Sequence, residues 1–206
     1  LVIGANKMAT FDSTTLQFEN TIPFPDPFPF APTCIISDKQ GNIFFNDEHH
    51  LYFIAAKKER TVKIIENLFT ELLIDKKGYL WAATLQNGLY RLQYIFANNK
   101  LEIIDSVHFL PGENIRSLFE DSRGNIWVGT RYHGVYRFSK NITTAYTISN
   151  IDQSKGLSSN WIKGLAESAN GDLWVASLQG LDKMIQQNSS YRVFNFSRVN
   201  NFYETV

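Results

Sequence analysis

The chain has a single cysteine, Cys34, so no disulfide can form within it. A thiolate zinc site, which needs several such ligands, is excluded for the same reason. Set in the apolar run Cys34-Ile35-Ile36, the residue reads as a buried structural thiol. An excess of either charge is missing too: 20 basic and 20 acidic side chains give a formal net charge of zero. Nucleic-acid binding draws on a clustered Lys/Arg footprint. Here the densest basic spots, Lys57-Lys58 and Lys76-Lys77, read as solvated loops. The four histidines, His49, His50, His108 and His133, stand at no metal-ligand spacing. Neither a Gly-x-Ser-x-Gly elbow nor a phosphate-binding loop is present, so no metal, no cofactor and no catalytic residue is expected. No apolar run approaches the roughly 18 residues of a membrane span. The start, Leu1-Val2-Ile3-Gly4, lacks the charged and long apolar regions of a signal peptide. Amphipathic helix periodicity does not extend beyond about two turns.

What the sequence does have is aromatic and periodic. Hydrophobic residues make up 44% of the 206, enough for a core, and aromatics reach 14%, which favours strands. Leu72 to Trp81, Leu118 to Trp127 and Leu165 to Trp174 are copies of one pattern, with the tryptophans 46 and 47 positions apart. A fainter copy, Ile36 to Phe44, puts Phe in the Trp position. A second glycine follows each strong copy, at Gly88, Gly134 and Gly180, 46 and 46 apart.

Each repeated position has a physical reason. Asp75 with Gly78 and Asp121 with Gly124 sit between two apolar runs and read as hairpin turns. Asp accepts from the turn backbone and Gly takes positive φ. Asp38 with Gly41 repeats this; the fourth copy keeps Gly171 but has Ser168 in the Asp position. The second glycine opens a third strand, and a fourth is expected at Ile103 to Phe109, Thr143 to Ile148 and Arg192 to Phe196. Four antiparallel strands per period of about 46 residues predict the blades of a β-propeller, all-β, with about four to five blades. A WD-type blade is rejected because Ala82, Val128 and Val175 follow the tryptophans. A sialidase-type Asp box is rejected because Asp and Gly are three apart, not two.

The stretch from Asn114 through Asp121, Gly124, Trp127 and Gly129 to Thr130, continued at Gly134-Val135-Tyr136-Arg137-Phe138, closely resembles the two-component regulator propeller repeat. Gly156-Leu157-Ser158-Ser159-Asn160 is similar to that family's inter-blade linker. The resemblance covers the whole chain, strongly from Thr70 to Met184. It implies a periplasmic sensor region of a hybrid two-component regulator of gut Bacteroidetes, recognising polysaccharide-derived oligosaccharides and signalling through a transmembrane helix to a histidine kinase. Self-association of the parent receptor, and membrane attachment through the parent chain alone, are implied with it. The first copy departs from the pattern, with Asp47-Glu48-His49-His50-Leu51 where a Thr-x-x-Gly-Leu belongs.

The organisation expected is one propeller segment over 1–206, part of a larger array. It comprises a partial blade 1–21, an eroded blade 33–66, blades 68–109, 112–149 and 157–197, and the start of a next blade 198–206. The two ragged ends could instead complete one shared blade in a five-bladed ring. Five of the six prolines fall in Ile22 to Pro32, which excludes helix and central strand there. That segment reads as an extended seam sealed by phenylalanines, or alternatively as an aromatic sugar-stacking loop.

A blade's loops divide between two faces. The Asp-x-x-Gly turns are short and repetitive, hence structural; the opposite face varies from copy to copy, which suits recognition. Its candidate ligand-binding residues are Gln86, Asn87, Arg131, Tyr132, His133, Trp161 and Gln179, whose amides, cation and rings suit planar hydrogen bonding and stacking on a sugar. Asn114 and Asn160 are expected to bond adjacent backbone. Trp81, Trp127 and Trp174, being equivalent, are assigned to inter-blade packing, and Gly78, Gly124, Gly171, Asp75 and Asp121 to the turns. Two rivals stay open. One is a propeller lyase or lactonase resembling the streptogramin-degrading lyases, with His133 as candidate base. The other is an architectural propeller that dimerises its receptor.

Overall fold

In the computed structural model, residues 2–3, 7–12, 14–15, 17–23, 32–47, 49–56, 61–98, 100–140, 146–188 and 190–196 are described. They form five antiparallel sheets, each a simple meander. The first has three strands, β1 (Val2–Ile3), β2 (Lys7–Asp12) and β3 (Gln17–Pro23). The second runs β4 (Cys34–Ser37), β5 (Ile43–Asn46), β6 (His50–Ile54) and β7 (Thr61–Glu66). The third runs β8 (Phe69–Ile74), β9 (Leu80–Thr84), β10 (Leu89–Ala97) and β11 (Lys100–Phe109). The fourth comprises β12 (Ile115–Glu120), β13 (Ile126–Thr130), β14 (Val135–Lys140) and β15 (Tyr146–Ile151). The fifth comprises β16 (Ile162–Glu167), β17 (Leu173–Ser177), β18 (Gly180–Gln187) and β19 (Ser190–Asn195).

The strands fall where the repeat predicts, with shifts at the ends. The fourth strand of the fourth sheet reaches Ile151 instead of Ile148, because Val135 pairs with Ile151 and Tyr136 with Asn150. The fourth strand of the third sheet starts at Lys100, and that of the fifth spans Ser190–Asn195. The first sheet also runs past its expected limit: Ile22 pairs with Met8 and Pro23 with Lys7. Proline is admitted there because β3 is an edge strand with a neighbour on one side only. The proposed Pro/Phe seam from 24 to 31, Lys57-Lys58, and the expected blade start at 198–206, and with it the ring-closure alternative, lie outside the described residues.

The chain packs as two units: residues 1–84 with 90–108, and residues 85–89 with 109–206. In the first, Phe44, Leu51, Phe53, Phe69, Leu72, Leu80, Ala82 and Leu92 form one cluster, drawn from the second and third sheets. In the second, Trp127, Val135, Ile151, Leu157, Ile162, Leu173, Val175 and Met184 do the same for the fourth and fifth. Second strands β5, β9 and β13 are buried at every residue. Outer strand β19 alternates exposed and half-buried positions, and β11 is largely exposed.

The periodic Asp joins turn to core. Asp121 Oδ1 accepts from the backbone N–H of Arg123 (3.0 Å) and Asn125 (2.8 Å), while its Oδ2 accepts from Trp127 Nε1 at 2.9 Å. Asp75 repeats this with Lys77, Tyr79 and Trp81. Trp127 meets Tyr191 of the fifth sheet edge-on, with centroids 5.2 Å apart, which is the inter-blade packing expected of it. Trp174 is half-buried and meets Phe196, just past the end of β19, edge-on; the blade expected to follow it lies outside the described residues.

Candidate functional site

The variable face begins with a small irregularity in the first strands of the third, fourth and fifth sheets. Ile115 pairs with Thr130 and Ser117 with Gly129, so Arg116 is an extra, unpaired residue between them. Lys163 is the extra residue between Ile162 and Gly164, and Thr70 that between Phe69 and Glu71. A bulge re-aims its side chain and is freed from the ladder's alternation. In the second unit, Gly129 lets β13 lie close against β16: a Cβ there would fall 2.6 Å from Ile162 Cγ2. That approach brings the bulged Arg116 and Lys163 onto neighbouring first strands.

The loops of the second unit interlock through backbone bonds. Gly88 N donates to Glu113 O (3.0 Å), Arg131 N to Asn114 O (2.9 Å), Gly134 N to Asn160 O (3.0 Å), and Leu178 N to Trp161 O (2.9 Å). The linker before β16 is anchored by buried Asp182, which accepts from Ser158 N (2.8 Å), Ser158 Oγ (2.6 Å) and Asn195 Nδ2 (2.7 Å). Asn160 Oδ1 accepts from Gln153 N at 2.8 Å, the backbone role expected of it. The Asn114 side chain does not take that role: its Oδ1 is buried without a hydrogen-bond partner.

Arg131, Tyr132 and Trp161 come together. The Arg131 guanidinium lies 4.5 Å from the Trp161 ring centroid and 5.3 Å from that of Tyr132. Lys163 Nζ stands 4.1 Å from the same Trp161 ring. Such cation–π contacts contribute about 0.5–2 kcal/mol each, more as water is excluded. Burial, reinforced by the nearby Arg131 charge, pulls the Arg116 pKa below the usual guanidinium value. Nε of Arg116, Nε of Arg131 and Nε1 of Trp161 are buried and have no partner. Tyr132 is 55% exposed and Leu178 54%, so open apolar surface adjoins the cations.

His133 stands apart from this group. Its Nδ1 lies 2.9 Å from Glu113 Oε2, and Glu113 Oε1 accepts from Tyr136 OH at 3.1 Å. Burial and the adjacent Glu113 charge push the Tyr136 hydroxyl up to about 12. Gln86 and Asn87 are exposed in the loop beside Glu113, and Gln179 is exposed beyond Leu178. The candidates therefore divide into an Arg131–Tyr132–Trp161 group and a His133 group. Arg116, Lys163 and Glu113 were not among them. The available signal was that Arg116 and Lys163 stand 47 residues apart, the same spacing as Trp127 and Trp174.

A cavity of about 250 Å³ opens on the turn face of the first unit, lined by Asp38, Lys39, Asp75, Lys76 and Tyr94 among others. Its acidic walls are already engaged: Asp38 holds Gln40 N, Asn42 and Tyr94 OH, and Asp75 holds its turn and Trp81. Among the described residues no group of three or more His, Cys, Asp or Glu could hold a metal ion. No helix among them is long and apolar enough to cross a membrane.

Comparison with known proteins bears on the fold and the repeat. The chain superposes on the extracellular domain of a protein assigned as a hybrid two-component system of B. thetaiotaomicron, with a TM-score of 0.63 and 20% identity, over 82% of this chain and 23% of that one. Virginiamycin B lyase from Staphylococcus aureus gives a TM-score of 0.65 at 14% identity, over 93% of this chain and 63% of the lyase. PorZ, a surface component of the type-IX secretion system of Porphyromonas gingivalis, gives 0.66 at 14% identity, over 83% and 28%. These likenesses establish a β-propeller fold, and the chain spans about a quarter of the two-component protein it matches. No curated protein matches the sequence. The two-component regulator propeller model matches residues 110–132 and 156–179, the segments that carry Arg116, Arg131, Trp161 and Lys163, so the chain carries two-component regulator propeller repeats.

Proposed function

We propose that the chain is a ligand-sensing part of the extracytoplasmic region of a hybrid two-component signalling protein, periplasmic in location, and that it recognises oligosaccharides on its variable loop face. The observation that carries this is the Arg131–Tyr132–Trp161 group, in which an exposed ring and a half-buried indole flank a cation within one matched pair of repeats. Exposed aromatic faces with convergent hydrogen-bond donors suit a pyranose, which has an apolar face and a polar rim. Isothermal titration against a panel of plant and host oligosaccharides tests this. Tyr132→Ala, at an exposed position, should keep the fold and weaken binding at least tenfold. Unchanged affinity in Tyr132→Ala and Arg131→Ala alike would place recognition elsewhere.

A lyase is the second reading, favoured by the contact of His133 with Glu113 at 2.9 Å, in which a carboxylate orients an exposed imidazole. Turnover of a streptogramin or lactone, abolished by His133→Ala, would support it. Saccharide binding that survives His133→Ala, with no turnover by the unaltered protein, would count against it.

A further inference from the structure

Arg116, Arg131 and Lys163 make no ion pair with any carboxylate among the described residues. The nearest acid in the linker, Glu113, is already bound by His133 and Tyr136. In two of the three cations, Arg116 and Arg131, Nε is buried without an acceptor. Like charges drawn together in a partly desolvated place raise one another's energy, and an opposing charge relieves it. In a chain of zero net charge this is a local excess and not a general basic character.

We propose that Arg116, Arg131 and Lys163 form a subsite for an anionic group, a carboxylate or a sulfate ester, on an acidic oligosaccharide. This rests on the saccharide reading given above and narrows its ligand class. Arg116 and Lys163 reach the subsite from bulges on β12 and β16, and Arg131 from the β13–β14 loop. Guanidinium groups form paired hydrogen bonds with carboxylate or sulfate oxygens, while Lys163 acts as a point charge. The exposed Tyr132 beside Arg131 offers a face for the sugar ring that carries the anion. The corresponding bulge of the third sheet carries neutral Thr70, so the charge is not part of the repeat's construction.

The test is titration of the purified protein with an oligogalacturonate trisaccharide, a sulfated disaccharide, neutral oligosaccharides of equal length, and sodium sulfate alone. The acidic saccharides should bind at least tenfold tighter than the neutral ones, with affinity falling as salt rises. Lys163→Gln should weaken the acidic saccharides at least tenfold and leave the neutral ones unchanged, whereas Arg131→Gln should weaken both and the acidic ones by the larger factor. Lys163 is exposed, so that variant keeps its fold even if Arg116→Gln does not. Equal affinity for neutral and acidic saccharides, unaltered in both variants, overturns the anion subsite and leaves saccharide recognition standing. Binding of sulfate with no saccharide of either kind overturns the saccharide as ligand and the reading beneath it. Silence towards every probe overturns both.

Discussion

Trp127 and Asp121 are joined by a hydrogen bond of 2.9 Å from the indole Nε1 to the carboxylate Oδ2, and Trp81 with Asp75 repeat it at the same length. The carboxylate thus serves the turn and the buried ring together. Where Phe44 replaces Trp and has no N–H to give, Asp38 Oδ2 accepts instead from Tyr94 OH at 3.1 Å. Phe44 in turn packs edge-on against the Tyr94 ring, with centroids 4.7 Å apart. The lost donor is replaced from the neighbouring sheet.

Asp121→Ala should therefore cost about 2–4 kcal/mol, because it strands a buried indole N–H and frees the turn backbone. Urea unfolding measures it. A loss below about 0.5 kcal/mol would mean that the carboxylate is dispensable.

Trp127→Ala should cost about 3–5 kcal/mol, as truncation of a buried aromatic does. The half-buried Trp174 should lose distinctly less on the same substitution, since less of its surface leaves water on folding. Equal losses in thermal and urea unfolding would show that burial does not distinguish them.

Two glycines of positive φ should respond differently to alanine. At Gly78 (φ +88°) nothing lies within 4 Å of the added Cβ, so only the backbone cost of about 1–2 kcal/mol is expected. At Gly134 (φ +73°) the Cβ would run into Ile151 O and come within 2.9 Å of Asp152 Cα, so Gly134→Ala should lose more. Matching midpoints for the two variants would refute the clash.

Acid should weaken the first copy's loop through Asp47. Burial alone would raise this carboxyl, but donation from His49 N (2.7 Å), Tyr52 OH (2.9 Å) and His50 N (2.6 Å) outweighs it and holds the pKa below the usual value. A folded pKa below the unfolded one of about 3.9 gives stability that is complete above that value and lost as pH falls through the folded pKa. The stability advantage over Asp47→Asn should hold from about pH 7 to 5 and shrink below about pH 4. An advantage independent of pH in urea titrations would exclude the mechanism.

The blades were legible because their determinants are local. Asp121, Gly124 and Trp127 lie within seven residues, and each is required by one turn and one ring. Connectivity assigned the seven candidate residues to the loops they occupy in the structure, but which of them meet depends on contacts between sheets. Arg131 reaches Trp161 across 30 positions, and His133 finds Glu113 20 positions away. Arg116 and Lys163 were passed over because alternation along a strand assigns each residue a side, and a bulge suspends that rule. The replacement of a Trp donor by Tyr94, 56 positions from Asp38, has no local trace at all.

The bulges at Thr70, Arg116 and Lys163 make one position per sheet independent of the ladder that carries it. Threonine, arginine and lysine occupy the same backbone irregularity, so the side chain there is exchangeable while the strand stays in register. A tandem array built this way separates its vocabulary from its grammar: the pairing fixes where each side chain is presented, and a single substitution per sheet resets what the face presents.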